Sequence, residues 1–171
     1  MSSIRLRRLC LTAIFAALGC AMTFVHIPYP LGYLNLGDCV VLLASVILPP
    51  GYAMAAAGIA GASADLFLGY SLYAPATLVI KGLMAGISSC ICRRKPRFVP
   101  VILGGISGEL WMVLGYFLYE SLLYNAPAAG ESALSVNLPQ AAVNFALFLG
   151  LWLAMNRSKL LEKTRRQINY V

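Results

Sequence analysis

Residues 73–92 read YAPATLVIKGLMAGISSCIC, and residues 93–97, RRKPR, follow directly. The first stretch holds one charge, Lys81, in a length that crosses a bilayer as a helix, about 20 residues. The second holds Arg93, Arg94, Lys95 and Arg97. An apolar run that stops at a basic loop is the mark of a membrane helix whose end stays in the cytoplasm. Lys81 is then the anomaly, an ammonium group inside a run built for lipid.

The rest of the chain repeats the pattern. Of its 171 residues, 60% are hydrophobic and 11% charged, and mean hydropathy is +0.80. A soluble domain carries about 25% charged residues. An all-α, polytopic membrane protein is expected, a single domain over 1–171 with six spans near 8–27, 36–48, 51–69, 73–92, 98–124 and 137–156. Span two is short, bounded by Gly37-Asp38 and Pro49-Pro50-Gly51, and reads as a kinked or partial crossing. Span five is long enough to tilt or project.

Arg5, Arg7 and Arg8 precede span one, the 93–97 group joins spans four and five, and Arg157, Lys159, Lys163, Arg165 and Arg166 follow span six. With six spans these 12 of the 13 basic residues fall on one side, and the positive-inside rule makes it the cytoplasm of a bacterial-type plasma membrane, with both termini there. The outer loops, near 28–35, 70–72 and 125–136, hold no Lys or Arg. The +7 charge therefore belongs to topology, not to a nucleic-acid partner.

The N-terminus imitates a signal peptide, with RLRR and AALGC ending at Cys20, but cleavage would leave five spans with no gain. Cysteines 10, 20, 39, 90 and 92 are scattered in depth, and the pair Cys90-x-Cys92 is too few ligands for a metal. His26, the only histidine, reads as a boundary residue.

Polar residues convert to depth at 1.5 Å per helical residue. Asn35 and Asp38 fall near the outer surface, Asp65 roughly 6 Å below it and Lys81 roughly 12 Å below it. Glu109 comes near the midplane, with Tyr116, Tyr119 and Glu120 above it, and Gln140 and Asn144 descend on span six. The inner half is apolar or small. A proton or ion path would place polar groups through the full thickness; one-sided polarity describes a cup open to the outside. Plainer roles compete. Lys81 could neutralise Asp65 or Glu109 to fix packing, Asp38 and Asp65 could cap helix ends, the tyrosines could form an interfacial belt, and Gln140 and Asn144, one turn apart, could bond a neighbouring helix.

Ala13, Ala17 and Ala21 form a stripe of small residues that permits close approach, to a partner or within the bundle. Span three, rich in Ala and Gly from 53 to 64, is expected inside the bundle. There is no Walker loop, GxSxG, HExxH or acidic Mg²⁺ cluster, and no inverted repeat is evident.

The strings NLGD (35–38), ADLFLGY (64–70), YAPATLVIKG (73–82) and GELWMVLGYFLYE (108–120) resemble the substrate-binding S component of energy-coupling-factor (ECF) vitamin transporters, in the branch of riboflavin, hydroxymethylpyrimidine and pyridoxine carriers. The likeness runs from span one to span six. It implies a six-helix subunit that binds a vitamin near the outer face. It also implies docking on a transmembrane coupling subunit with two cytoplasmic ATPases, of the ABC importer type, and toppling in the membrane to release the cargo. The subunit itself is no enzyme and holds no cofactor; ATP is used by its partners. The Ala13/Ala17/Ala21 stripe matches the family's docking stripe.

For the cup, Lys81, Glu109, Asn144, Asp38 and Asn35 offer donors and acceptors, with Tyr116 or Trp111 for stacking. Glu109 is expected to accept from a ring amine and Lys81 to donate, or to hold Glu109 ionised. The loop HIPYPLGYLN (26–35) is expected to act as a lid. That set suits hydroxymethylpyrimidine or pyridoxine; riboflavin needs a larger pocket, and one Lys without Arg is thin support for a phosphate. The rivals are a proton-coupled carrier using Lys81, Asp65 and Glu109, and, more weakly, a membrane enzyme.

Overall fold

The computed structural model describes residues 3–29, 32–92 and 96–168. Arg93, Arg94 and Lys95 of the basic loop, and Pro30 and Leu31 of the expected lid, lie outside the described residues. Helix α1 (Ser3–Thr23) leads into a hairpin of β1 (His26–Tyr29) and β2 (Gly32–Asn35), followed by α2 (Gly37–Ile47), α3 (Pro50–Phe67), α4 (Ala74–Cys92) and α5 (Phe98–Leu123). Then come α6 (Ala126–Ser132), a π-helical turn (Ala133–Asn137), α7 (Leu138–Arg157) and α8 (Leu160–Gln167). Ser3–Thr23, Ala74–Cys92, Phe98–Leu123 and the continuous run Ala126–Arg157 are long and apolar enough to cross a membrane by length and composition. This is an all-α membrane fold apart from the hairpin.

Helix α5 explains the packing logic. Leu103, Ile106, Leu110, Leu114, Leu118 and Leu122 recur every three or four residues and are all exposed, as a lipid-facing row should be. Gly104, Gly108, Met112 and Gly115 line its opposite face and are buried. A Cβ on Gly104 would come within 2.8 Å of Cys92 Sγ, so the glycine sets how closely α4 and α5 approach. Gly58 does the same for α3 and α4, with only 2.8 Å to the Leu78 carbonyl oxygen. Span three is an interior packing helix on this side, as its composition indicates.

Helix α2 is the centre of the bundle. All its residues are buried, and it touches α1, α3, α4, α5, α7 and α8. Its 11 residues reach only about 16 Å, so both ends stop inside the protein. At the start, the Gly37 N–H donates to Asn35 Oδ1 (3.1 Å) and the Cys39 N–H to Asn144 Oδ1 (2.9 Å). At the finish, the buried Arg165 guanidinium of α8 donates to the Val46 carbonyl, and Ser89 Oγ donates to Leu48 O (3.0 Å). Helix α8 is held in turn by α1. Arg8 donates twice to Ile168 O (3.1 and 2.9 Å) and Arg7 to Gln167 O (3.3 Å).

Two expectations are corrected. Span one does not reach residue 27, and 28–35 is not an open loop: α1 ends at Thr23 and the chain turns into the hairpin, pairing Ile27 with Leu34 and Pro28 with Tyr33. Proline biases the residue before it toward extended backbone, and Ile27 before Pro28 adopts strand backbone. The stretch 125–136 is helical instead of a loop. Asn125 caps it, accepting from the Ala128 N–H at 2.9 Å, and a proline follows in the first turn. Between α3 and α4 the chain reverses at Gly69, whose φ of 84° favours glycine.

The Gly58 approach gives a test by thermal unfolding in detergent. Gly58→Val should cost about 3 kcal/mol or prevent folding. Gly150→Ala, with nothing within 4 Å of the new Cβ, should leave stability unchanged or raise it by up to ~1 kcal/mol. Equal effects would show that the α3–α4 seam is slack.

Candidate binding cavity

A cavity of about 490 Å³ opens at the end of the bundle where α1 finishes and the hairpin begins. Its walls come from Thr23 at the end of α1, Asn35 at the base of β2, Gly61 and Asp65 on α3, and Thr77 and Lys81 on α4. Tyr116 and Glu120 on α5, Asn137 in the π-helical turn and Gln140 on α7 complete them, with Tyr70, Tyr73 and Tyr124 nearer the helix ends. Thr77 and Lys81 are one helical turn apart, as are Tyr116 and Glu120, so each pair projects from one face. Gly61 leaves the room: a Cβ there would come within 2.6 Å of Thr77 Cγ2 and 3.2 Å of Lys81 Cγ.

Lys81, 7% exposed, forms an ion pair with Asp38 in the first turn of α2. The other Asp38 oxygen accepts from Gln140 Nε2 at 2.9 Å. Gln140 Oε1 then accepts from Asn35 Nδ2 at 2.9 Å. One chain of polar contacts therefore links α4, α2, α7 and the base of the hairpin. The ammonium also lies 5.4 Å from the centroid of the Tyr116 ring, within cation–π range. The Tyr116 hydroxyl shares a 3.0 Å hydrogen bond with Thr77 Oγ1. Near the mouth Tyr73 packs edge-on against Tyr119, with centroids 5.5 Å apart.

Of the seven residues singled out for binding in the sequence, Lys81, Tyr116 and Asn35 line the cavity. Asp38 stands behind Lys81 as its partner, in place of Asp65 or Glu109. Glu109 is buried below, 4% exposed, within electrostatic reach of Asp38 and Lys81, and neither of its oxygens has a hydrogen-bond partner. Asn144 is fully buried, closing the start of α2 through the Cys39 N–H and donating to Asn35 O at 2.8 Å. Trp111 sits outside the cavity on the α4–α5 seam, its indole N–H donating to Ile80 O at 3.1 Å. Asp65, Thr77, Glu120 and Gln140 are wall residues outside that set; the sequence offered Asp65 as a helix cap and Gln140 as a bond to a neighbouring helix. The one-turn pairings Thr77/Lys81 and Tyr116/Glu120 were the available signal. On α1, Ala13, Ala17 and Ala21 are exposed, whereas Thr12, Ala16 and Gly19 are buried.

The ion pair can be measured by a double-mutant cycle on thermal unfolding. Lys81→Met alone strands a buried carboxylate and should cost about 3–5 kcal/mol. Adding Asp38→Asn should recover much of that loss. Additive losses would mean that the two side chains do not interact.

Comparison with known proteins follows this geometry. The chain is similar to a protein of Pyrococcus woesei described as "Uncharacterized protein in gap 3'region", with 36% identity over 107 residues, which is 61% of this chain and 72% of that protein. Residues 3–157, from the first described turn of α1 to the end of α7, match the family described as "ECF-type riboflavin transporter, S component". Members of that family are membrane subunits that bind a small-molecule vitamin and work with an ECF module, not enzymes. This chain belongs to the ECF S-component family.

Proposed function

We propose that this subunit captures a small heterocyclic vitamin or precursor of the hydroxymethylpyrimidine or pyridoxine type for import. The observation that carries this reading is the cavity itself. Lys81, Asn35, Gln140, Asp65 and Glu120 offer hydrogen-bond donors and acceptors between tyrosine rings, a lining suited to a flat polar ring. Lys81, Tyr116 and Asn35 touch the cargo, while Asp38, Glu109 and Asn144 act from behind them by holding Lys81 and the hairpin base.

The proposed topology has six passes, α1, α3 to α5 and α7 as full crossings and α2 as a partial one, with both termini in the cytoplasm of a bacterial-type plasma membrane. The contacts of Arg7 and Arg8 with the end of α8 support it, since they gather basic residues of both chain ends away from the cavity. Transport then uses a coupling subunit docked on the Ala13/Ala17/Ala21 face, which is free of intramolecular packing, and two ATPases that hydrolyse ATP. No cofactor is bound by this chain in that scheme. Riboflavin is a second reading. The cavity's 490 Å³ lies within the roughly 300–1,000 Å³ typical of drug-sized ligands, more room than one small ring fills, and the family description names riboflavin.

Native mass spectrometry of the purified subunit should find a heterocyclic vitamin retained, and its mass separates the two readings. Lys81→Met on the Asp38→Asn background should stay folded and lose at least about tenfold in affinity by calorimetry, since one lost charge-assisted hydrogen bond is worth about 1.5–3 kcal/mol. Unchanged affinity would remove Lys81 from the site. Ala17→Trp should bind normally yet abolish cellular uptake. Uptake that persists in cells lacking the ATPases would establish the proton-coupled carrier instead.

A further inference from the structure

Acidic residues outnumber basic ones around the cavity. The sequence contains six acidic residues, and four of them, Asp38, Asp65, Glu109 and Glu120, surround the cavity or lie directly behind it. Lys81 is the single Lys or Arg among the described residues of the cavity wall, and Asp38 already opposes it. Glu120 is a wall residue only 8% exposed, and its Oε2 accepts no hydrogen bond. Asp65, across the cavity on α3, likewise keeps Oδ2 unpartnered. The tyrosine hydroxyls nearby are partly engaged: Tyr116 bonds Thr77, and Tyr73 bonds Tyr124 and donates at 3.5 Å to Glu120 Oε1, which leaves Oε2 as the open acceptor.

A buried carboxyl oxygen left without a partner is costly, and inside a membrane protein it persists where function requires it. An excess of carboxyl groups beside a void is an electrostatic complement to positive charge. Four tyrosines around the same void add ring faces that attract a cation. Among the described residues no group of three or more His, Cys, Asp or Glu is arranged to hold a metal ion, which favours an organic cation over an inorganic one.

We infer that the cargo is an amine-bearing or cationic heterocycle whose positive nitrogen is met by Asp65 and Glu120. Lys81 and Gln140 bind a neutral or electron-rich edge of the same ring. This rests on the vitamin-binding reading and narrows it, since a neutral tricyclic cargo would bring no positive charge to the two wall carboxyls.

The test is calorimetric titration of the full chain in lipid nanodiscs with four probes. Pyridoxamine and pyridoxine differ by an amine in place of a hydroxyl, thiamin carries a permanent positive charge, and riboflavin is neutral. Pyridoxamine or thiamin should bind at least tenfold more tightly than pyridoxine or riboflavin. Asp65→Asn and Glu120→Gln, both close in shape to the originals, should each weaken the cationic ligand by about tenfold and leave the melting temperature of the empty protein unchanged or raised. Tighter binding of pyridoxine or riboflavin would overturn the inference while sustaining vitamin capture. Binding of none of the four, nor of hydroxymethylpyrimidine itself, would overturn both. Affinity of both variants for the cationic ligand equal to that of the unsubstituted protein would also overturn the inference.

Discussion

A helix of 11 residues buried on every side cannot complete its own hydrogen bonds. Water would satisfy the loose ends of α2 in a soluble protein, but a membrane interior offers none. Each end is therefore closed by another element. Asn35 and Asn144 serve the start, Ser89 and Arg165 the finish. These four residues come from the hairpin, α7, α4 and α8, so the architecture converges on the needs of one short helix. Arg165 illustrates the point: it is a basic residue of the cytoplasmic group by sequence, yet its guanidinium is spent on a backbone carbonyl.

The cavity is a by-product of the same geometry. Asn35, which closes the start of α2 from the base of the hairpin, is also a wall residue of the cavity. The first turn of α2 brings Asp38 to the cavity floor, where Lys81 needs an opposite charge. Gln140 connects this pair to Asn35, which also closes the helix start. Support of the fold and shaping of the site therefore share residues, and Asn144 belongs to the first role although its depth suggested the second.

Much of this was legible in the sequence. Helices α3, α4, α5 and α7 fall within two residues of the expected spans at nearly every end, because long apolar runs bounded by Pro, Gly and basic residues leave little choice. The hairpin was missed because prolines 28 and 30 read as irregular loop, although the extended backbone they impose is also strand backbone. The segment after Tyr124 was missed because Pro127 and Gly130 outweighed the Asn125 cap. The partner of Lys81 was missed for a different reason. Depth was counted as if every crossing began in one plane, which put Asp38 at the surface. Asp38 is instead buried, 1% exposed, in contact with Lys81. Asp65 was read as a helix cap and Glu120 only as a group above the midplane, because depth alone does not reveal that a void reaches them.

Helix α5 presents its leucine row outward and Tyr116 with Glu120 inward, and the two sets share no positions. Mutations that refit the cavity to another molecule need not disturb the surface that lipid sees, and drift among the outer leucines need not alter what is held. Such a chain can diversify its chemistry over evolutionary time while its outline in the bilayer stays constant.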